Sequence, residues 1–392
     1  RARRRRPPHP RGRTMNVEPP LPPEALDAIR APFEALGAPV IDAPILLPLG
    51  AVLDLAGEVM RGRLFIVQGD GQDAALRPDF TIAVARAHIA DGQKAARYVY
   101  EGKAFRVAPK GSGRAEEFLQ IGLEVFGGGR DPAVDAEVAS LAWRAASAGG
   151  RGDLAMVLGD IALFAALIDA MALAPALAAR LKRAFARGGT ISQELARAQA
   201  ATPAKRRGDR LAALLADLPE AEAAAVLEDV WSIAGIQPVG GRSPGEIAHR
   251  LAQRGETARA PRLTPAEAGL IGDFLALAGP PRRTLDAARA LLKKGGLGLD
   301  AEFDAWARRL DALIAGGALE NRLRFQAGLV RSFTYYDGFL FEVRTPALAD
   351  DAPVAAGGRY DGLPGQLGGE VSGAVGCAVR PGRAWAAAEG PG

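Results

Sequence analysis

The first segment with helical periodicity covers residues 23–37. Its apolar side chains recur every three or four residues, at Leu26, Ile29, Phe33 and Leu36. Side chains at that spacing share one face of a helix, and a glycine such as Gly37 is a common stop signal. The pattern predicts an amphipathic helix that opens the fold.

Between residues 40 and 86 the apolar runs shorten, as at residues 64–67, and glycine and proline separate them, so we expect sheet to begin there.

The clearest strand pattern lies at residues 117–127. Apolar side chains at the odd positions from Leu119 to Val125 alternate with Phe118, Gln120, Gly122 and Glu124. This alternation predicts a strand with one apolar face and one face that carries chemical groups. Residues 97–107 also predict a strand, and segment 108–116 between them contains proline and glycine and cannot continue either one. We therefore expect an antiparallel pair joined by a long flexible loop.

From about residue 131 to residue 318 the composition changes to Ala, Leu, Arg and Glu with helical periodicity. Glycine or proline interrupts this region near Gly149, Gly188, Gly240, Pro280 and Gly295. Residues 325–343 and 371–379 are strand-like again. Helices between two sheet-forming parts predict an α+β fold with a helical insertion. The expected division is a first part at 15–130, a mainly helical insertion at 131–320 and a second part at 321–392.

Composition fits a globular chain, since 48% of the 392 residues are hydrophobic and 24% are charged. Seven arginines lie in the Arg/Pro-rich residues 1–14; without them, 42 of the 49 basic residues remain against 45 acidic ones. The rest of the chain therefore lacks the basic bias of a dedicated nucleic-acid binder. We interpret residues 1–14 as a disordered tail or as leader sequence upstream of a start at Met15. A phosphate-binding arm is the alternative.

Few residues are suited to metal or disulfide chemistry. A single cysteine, Cys377, excludes an intrachain disulfide and a thiolate metal cluster, and fits a reducing compartment. The three histidines, at positions 9, 88 and 249, offer little for a zinc site. We therefore predict neither a metal nor a cofactor.

The most membrane-like run covers residues 161–179. Asp169 and Pro175 interrupt it, so its apolar part is too short to cross a bilayer. The Arg/Pro-rich residues 1–14 also lack the apolar stretch of a secretory signal. We predict a cytoplasmic chain without a membrane partner.

Familiar catalytic signatures are missing: there is no phosphate loop, no His-Glu-x-x-His and no dinucleotide glycine pattern after a strand. The candidates that remain are polar residues on predicted strands: Asp79, Arg106, Gln120, Glu124, Arg331, Tyr335 and Tyr336. Glu124 projects from a half-buried strand and needs a cation or hydrogen-bond donors as partners. Either an ion pair with Arg106 across the hairpin or a bound ligand would satisfy the Glu124 carboxylate. The same two explanations, a structural ion pair or a ligand contact, apply to Asp79 and Arg331. Together these groups match the needs of an amino-acid pocket.

Four blocks of sequence carry a resemblance. They are Leu-Arg-Pro-Asp-Phe-Thr at 76–81, Phe-Arg through Phe-Leu-Gln-Ile-Gly-Leu-Glu-Val-Phe-Gly at 105–127, Leu-Val-Arg-Ser-Phe-Thr-Tyr-Tyr-Asp-Gly-Phe-Leu-Phe-Glu at 329–342, and Gly-Gly-Arg-Tyr-Asp-Gly-Leu at 357–363. In this order they resemble the signature blocks of histidyl-tRNA synthetase. The resemblance implies a class II aminoacyl-tRNA synthetase-like fold, an antiparallel sheet flanked by helices, and self-association as a dimer.

The resemblance also implies roles for individual residues. In the implied histidine site, Asp79 stands where the family has a glutamate that holds the ammonium group, with Thr81 and Gln120 beside it. Glu124 and Tyr336 contact the imidazole, with Tyr335 next to them, and Arg331 lies near the carboxylate and α-phosphate. In the implied nucleotide site, Arg106 is the motif 2 arginine, Phe118 stacks on adenine, Arg114 lies in the motif 2 loop and Arg383 matches motif 3. The retained pocket residues favour histidine as the ligand.

Several positions depart from that family. Ala108 replaces the glutamate that reads adenine, and Glu116 replaces a loop arginine, which reverses the charge that a triphosphate would meet. Leu119 replaces a histidine and Thr334 an aspartate, while Arg380 and Gly382 replace a glycine and a glutamate of motif 3. We expect impaired adenylation. The chain ends nine residues after Arg383, so we also expect no anticodon-binding domain and no tRNA partner.

Retained and altered residues together resemble the family of ATP phosphoribosyltransferase regulatory subunits, which are synthetase-like. The resemblance implies a non-catalytic subunit that works with a short-form catalytic subunit on ATP and phosphoribosyl pyrophosphate, in the first step of histidine biosynthesis. It implies L-histidine as a feedback effector, and a dimer within a hetero-oligomer. We hypothesise that histidine acts through the loop at 110–114 or through a partner interface. The alternatives are a synthetase paralogue that forms histidyl-adenylate for a non-tRNA acceptor, and an RNA-binding module that uses the Arg-rich tail.

Overall fold

The computed structural model describes residues 15–69, 71–188, 190–199, 218–234, 262–370 and 373–386, and single positions between 211 and 251. The chain forms two compact units. The first contains the described residues of 1–158, 306–324 and 333–392, and the second those of 159–305 and 325–332. The predictions for residues 1–14, for a break at Gly240 and for His249 fall outside the described residues.

The first unit opens with helices and short strands and continues into a long hairpin. Its elements up to residue 147 are α1 (Pro23–Glu34), β1 (Leu46–Pro48), α2 (Leu49–Ala56), β2 (Ile66–Val67), β3 (Ala74–Leu76), α3 (Thr81–Asp91), β4 (Ala96–Phe105), β5 (Glu117–Phe126) and α4 (Pro132–Ser147). Strand β6 (Ala155–Asp160) begins in the first unit and ends in the second.

Most helices of the second unit follow β6. They are α5 (Ile161–Ala170), α6 (Pro175–Ala186), α7 (Ile191–Gln199), α8 (Glu220–Ala234), α9 (Pro265–Leu275) and α10 (Pro281–Lys294), with the short strand β7 (Ala278–Gly279) before α10. Helix α11 (Asp300–Ala315) and strand β8 (Leu323–Gln326) each have residues in both units. The first unit closes with β9 (Phe339–Arg344), β10 (Ala355–Arg359), α12 (Gly362–Gln366), β11 (Ala374–Val379) and α13 (Pro381–Ala384).

Helix α1 confirms the predicted opening helix. Ile29 and Phe33 are its fully buried residues, and Gly37 follows with a φ of +62°, a conformation that glycine adopts without strain. Arg30 anchors the helix to β4 by donating two hydrogen bonds to the Glu101 carboxylate, at 2.6 and 2.9 Å. The apolar face of the helix therefore packs inward, as the periodicity predicted.

The predicted hairpin is also confirmed. Strands β4 and β5 pair antiparallel over ten residue pairs, from Ala96 opposite Phe126 to Phe105 opposite Glu117. On its other side β5 pairs antiparallel with β11, and the strand order in the first unit is β4-β5-β11-β10-β9-β6. All residues of β5 from Gln120 to Phe126 are buried, so both faces of the strand are covered. The polar face is thus more deeply buried than its sequence predicted.

Two further sequence predictions need correction. The strand-like run at 325–343 is not one strand, because residues 327–338 form a loop between β8 and β9. Strand β6 was not predicted, since it lies within an Ala- and Leu-rich stretch whose neighbours are helical. The class of fold is as predicted: an α+β chain with a large sheet flanked by helices.

The second unit is mostly helical in its described residues. Phe164 of α5 and Phe185 of α6 pack with ring centroids 4.2 Å apart, and Gly188 ends α6 at the predicted break with a φ of +67°. Strands β7 and β8 pair antiparallel, with Ala278 opposite Gln326. Among the described residues of the whole chain, no helix is both long and apolar enough to cross a membrane.

Candidate functional site

One face of β5 carries the candidate chemical groups. Alternation along the strand places Phe118, Gln120, Gly122 and Glu124 on the same face. Tyr100 of β4 lies opposite Gly122, and its hydroxyl donates a hydrogen bond to the carbonyl of Cys377 at 3.0 Å. A Cβ at Gly122 would lie 2.2 Å from the Tyr100 hydroxyl oxygen. The glycine therefore makes room for a tyrosine that crosses the face between Gln120 and Glu124.

Glu124 is the most deeply buried acid of this face, with 1% of its surface exposed. The Thr81 hydroxyl donates to its Oε1 at 2.8 Å, and the Tyr360 hydroxyl donates to its Oε2. Burial raises the pKa of Glu124 to about 8, because desolvation outweighs the two hydrogen bonds and the nearby Asp79 disfavours a second negative charge. The ion pair with Arg106 that the sequence left open is wrong for Glu124, because hydroxyl donors surround this carboxyl.

A second carboxylate and a wall of aromatic rings complete the pocket. Asp79 is 4% exposed in the turn before α3, and its Oδ2 accepts a hydrogen bond from the Tyr335 hydroxyl at 2.9 Å. The Tyr335 ring packs 4.6 Å from Tyr336 and 5.8 Å from Tyr360, centroid to centroid. Burial and the charge of Asp79 raise the pKa of Tyr335 well above its ordinary value. Tyr335 therefore stays a neutral hydrogen-bond donor.

The predicted site residues of the first unit come together in this pocket: Asp79, Thr81, Gln120, Glu124, Tyr335 and Tyr336. Gln120 is 3% exposed, and its Oε1 has no hydrogen-bond partner among the described residues. A buried amide oxygen in that state is an acceptor available to a ligand. Arg331 is half-buried in the second unit, so its part in binding stays a prediction.

Tyr360 is a pocket residue that the sequence analysis missed. It stands between Arg359 and Asp361, which lie in a buried ionic network: Arg359 binds Asp135 at 2.7 Å and Asp361 at 2.9 Å. The same Asp135, fully buried, also binds Arg309 of α11 at 2.8 Å. This network holds the backbone on both sides of Tyr360 and so directs its hydroxyl to Glu124. The block at 357–363 contains this residue, but the resemblance assigns no role to Tyr360.

Gly376 of β11 fixes the position of the Glu124 carboxylate. It lies opposite Glu124 in the sheet, and a Cβ there would be 1.7 Å from Glu124 Oε2. No real Cβ tolerates such a distance, so any larger residue would displace the carboxylate. The position of the Glu124 carboxylate therefore depends on a glycine in a neighbouring strand.

A cationic cluster lies at the Phe118 end of the face. Arg106 Nε donates to the carbonyl of Pro78 at 2.7 Å, and its guanidinium carbon lies 5.4 Å from the Phe118 ring centroid. The guanidinium carbon of Arg380 lies over the same ring at 3.5 Å. Arg383 is close enough to Arg106 that repulsion between the two adds to burial and lowers the Arg383 pKa to about 10. The structure thus brings the predicted residues Arg106, Phe118 and Arg383 together and adds Arg380.

Two acids hold the loop between β4 and β5: Glu116 lies in the loop itself, and Asp351 lies between β9 and β10. Glu116 is 1% exposed, and its Oε1 accepts a hydrogen bond from the Ala108 backbone N–H at 3.0 Å, so the two altered loop positions contact each other. Arg114 donates to both carboxylate oxygens of Asp351, at 2.7 and 2.5 Å. The guanidinium group of Arg114 is therefore already paired with the carboxylate of Asp351.

Comparison with known proteins first identifies the structural class of the chain. The profile of the Histidyl-tRNA synthetase family matches residues 24–237 and 247–383. A Bacillus halodurans structure titled an ATP phosphoribosyltransferase regulatory subunit/histidyl-tRNA synthetase superposes with a TM-score of 0.61 at 20% identity, covering 96% of this chain and 83% of that one. The histidyl-tRNA synthetase of Nostoc sp. PCC 7120 superposes with a TM-score of 0.58 at 16% identity, covering 95% and 74%. These structures share the fold, and the chain has the class II synthetase-like architecture that the sequence predicted.

Sequence relatives then define the family. The ATP phosphoribosyltransferase regulatory subunit of Brucella anthropi is 34% identical over 349 residues, which cover 87% of this chain and 91% of the relative. The Brucella canis protein of the same name is 35% identical over 352 residues, with 87% and 91% covered. The chain belongs to the family of ATP phosphoribosyltransferase regulatory subunits.

Proposed function

We propose that this chain activates a short-form catalytic ATP phosphoribosyltransferase subunit in the first step of histidine biosynthesis, and that L-histidine inhibits the assembly by binding beside Glu124. The chain itself supplies no catalytic group, works in the cytoplasm as a dimer within a hetero-oligomer, and binds no tRNA. The names of its relatives support a catalytic partner. The observation that carries the histidine part is the buried carboxyl of Glu124 between two hydroxyl donors.

The pocket offers matching groups for the ammonium group and for the ring of an amino acid with a nitrogenous ring. Asp79 and Gln120 supply acceptor oxygens for an ammonium group. Glu124 lies further along the same strand face and is suited to a ring N–H, because its ionised carboxylate forms a charge-assisted hydrogen bond with such a donor. Three aromatic rings lie at the Glu124 end of the strand face: Tyr335, Tyr336 and Tyr360. An imidazole is a flat ring that packs against aromatic faces.

We further propose that histidine acts on the loop between β4 and β5. Arg106 donates to Pro78, one residue before Asp79, and its backbone N–H donates to the Glu116 carbonyl at 2.8 Å, at the far end of the loop. A shift of the Asp79 turn on ligand binding is therefore passed to both ends of residues 108–116. A coupling free energy of about 1–3 kcal/mol is enough for useful feedback.

Reconstitution tests this function. Phosphoribosyl-ATP formation by a purified short-form catalytic subunit is measured with and without this chain, across a titration of L-histidine. We expect the chain to raise the rate and to make it sensitive to histidine, and we expect Glu124→Gln to keep the activation while losing the sensitivity. A rate unchanged by the chain, without complex formation on gel filtration, would overturn the proposal.

Histidyl-adenylate formation is less well supported than regulation. Arg106, Phe118 and Arg383 do lie together, but the Arg380 guanidinium covers the Phe118 ring and Glu116 is bonded into the loop. Histidine-dependent exchange of pyrophosphate into ATP is the direct assay. We expect no exchange above the level without protein.

A further inference from the structure

The first described residues of the chain form a short extended segment along β5. The Glu116 backbone N–H donates to the Asn16 carbonyl at 2.7 Å, and the Glu18 N–H donates to the Glu117 carbonyl at 3.0 Å. Val17 lies in a parallel bridge with Glu117. Residues 16–18, which we call the N-terminal strap, are therefore bound to the end of the loop and the start of the strand that carries Phe118.

The strap inserts one carboxylate into the cationic cluster. The Glu18 side chain is only 10% exposed; its Oε1 accepts from Arg380 Nη2 at 3.2 Å and its Oε2 from the Leu119 N–H at 3.2 Å. Gly382 leaves space for it, because a Cβ there would lie 2.4 Å from the Glu18 carboxyl carbon. Both oxygens of the Glu18 carboxylate are thus hydrogen-bonded, and the backbone at Gly382 leaves room for the side chain.

Arg380 is held in a site built for an anion. It is 8% exposed, its guanidinium stacks on Phe118 at 3.5 Å, and its Nε has no hydrogen-bond partner among the described residues. The charges of Arg383 and Arg106 act on it in addition to burial, and together they lower its pKa well below the ordinary value. A buried guanidinium beside two others is stabilised by negative charge, and Glu18 supplies it.

We propose that Glu18 is a built-in carboxylate ligand of the Arg380–Phe118 site, and that phosphate-bearing anions compete with it for the Arg380 guanidinium. Carboxylate and phosphate oxygens bind guanidinium with the same geometry, so one can replace the other. The strap and a phosphate ligand are then mutually exclusive occupants. This site lies at the Phe118 end of the face and does not depend on the proposed histidine role of Glu124.

Calorimetric titration of the full chain with inorganic pyrophosphate tests the proposal. We expect Glu18→Gln to bind pyrophosphate at least tenfold more tightly than the wild type, and Glu18→Asp to stay near the wild type because it keeps the charge. Adding Arg380→Met to Glu18→Gln should remove the gain. The matched control is Glu24→Gln, an exposed glutamate in the first turn of α1, which should change nothing.

Pyrophosphate affinity within twofold of the wild type in a folded Glu18→Gln chain would overturn the proposal. A wild-type circular dichroism spectrum and a cooperative melting curve establish folding. ATP titrated in parallel separates the sources of phosphate. A larger gain for ATP identifies a nucleotide as the competing ligand, and equal gains identify the phosphates alone; both support competition with Glu18.

Hydrogen exchange of the wild type gives a second measurement that needs no variant. Millimolar pyrophosphate should displace the strap and so speed exchange of the Glu18, Glu116 and Leu119 amides, which the strap protects. Exchange in β10 should not change. Unaltered exchange of the three strap amides at the highest soluble concentration would contradict the proposal.

Discussion

The substitution Glu124→Gln removes the ionisable carboxyl of the pocket and keeps a side chain of nearly the same shape. In the wild type, Thr81 and Tyr360 both donate to this carboxyl, and no more than 1% of the residue is exposed. A glutamine accepts one of those hydrogen bonds and donates to the other hydroxyl oxygen. Packing is therefore conserved, and the change isolates the cost of ionising a buried acid.

The magnitude follows from the pKa of Glu124. An exposed glutamate titrates near 4.3, whereas burial raises the pKa of Glu124 to about 8. Between these values the folded chain keeps a proton that the unfolded chain releases, so a rise in pH favours unfolding. The stability that protonation provides is complete below the unfolded value and is lost as the pH rises through about 8. At about 1.4 kcal/mol per pH unit, the change amounts to several kcal/mol and at most about 5.

The assay is urea unfolding of the wild type and Glu124→Gln at intervals between about pH 5 and pH 8.5, without histidine. We expect the wild type to lose stability relative to Glu124→Gln across this window, and Glu24→Gln to follow the wild type. Curves for the wild type and Glu124→Gln that stay parallel would show that Glu124 is ionised in the folded chain. The reasoning from burial would then be refuted.

Three other substitutions test separate parts of the structure. Gly376→Ala should displace the Glu124 carboxylate and weaken L-histidine binding at least tenfold by calorimetry, whereas Gly50→Ala, which meets open space, should leave affinity unchanged. Asp135→Asn should lower the free energy of unfolding in urea by about 3–5 kcal/mol, because it leaves two buried guanidinium groups short of a negative charge. The control Asp131→Asn, at an exposed position, should lower it by less than about 1 kcal/mol, since asparagine also caps α4. Equal losses for the two variants would contradict the importance of the buried ionic network. Asp351→Asn should speed tryptic cleavage at Lys110 and Arg114 while changing stability by less than about 1 kcal/mol; unchanged cleavage would show that this ion pair does not restrain the loop.

The hairpin shows how far sequence pattern alone could lead. Alternation along residues 117–127 was enough to predict the strand, its partner and the face that carries Gln120 and Glu124, because these depend on local periodicity. The burial of that face was not predictable, since the side chains that contact Glu124 include Tyr360, which comes from far along the chain. Local pattern specifies an element, and distant partners specify its environment.

Residues that act through distant contacts were missed for the same reason. Tyr360 lies 236 positions from Glu124, and Arg380 lies 362 positions from Glu18. Arg380 was noted only as a departure from a motif, and its sequence neighbours give no sign that it covers Phe118. Glu18 drew no notice, because an acid in a Pro-rich segment has no periodic pattern to interpret. In contrast, the family resemblance brought Tyr335 and Tyr336 to attention although they lie in a loop between strands.

The most direct test of the central claim is calorimetric titration of the isolated chain with L-histidine. We predict saturable binding by the wild type at about pH 8.5, where the Glu124 carboxyl, with its pKa of about 8, is mostly ionised. Binding by Glu124→Gln should be at least tenfold weaker, because a charge-assisted hydrogen bond of about 1.5–3 kcal/mol is lost. The exposed control Glu24→Gln should bind like the wild type. Equal affinity of the wild type and Glu124→Gln for L-histidine would contradict the assignment of this pocket.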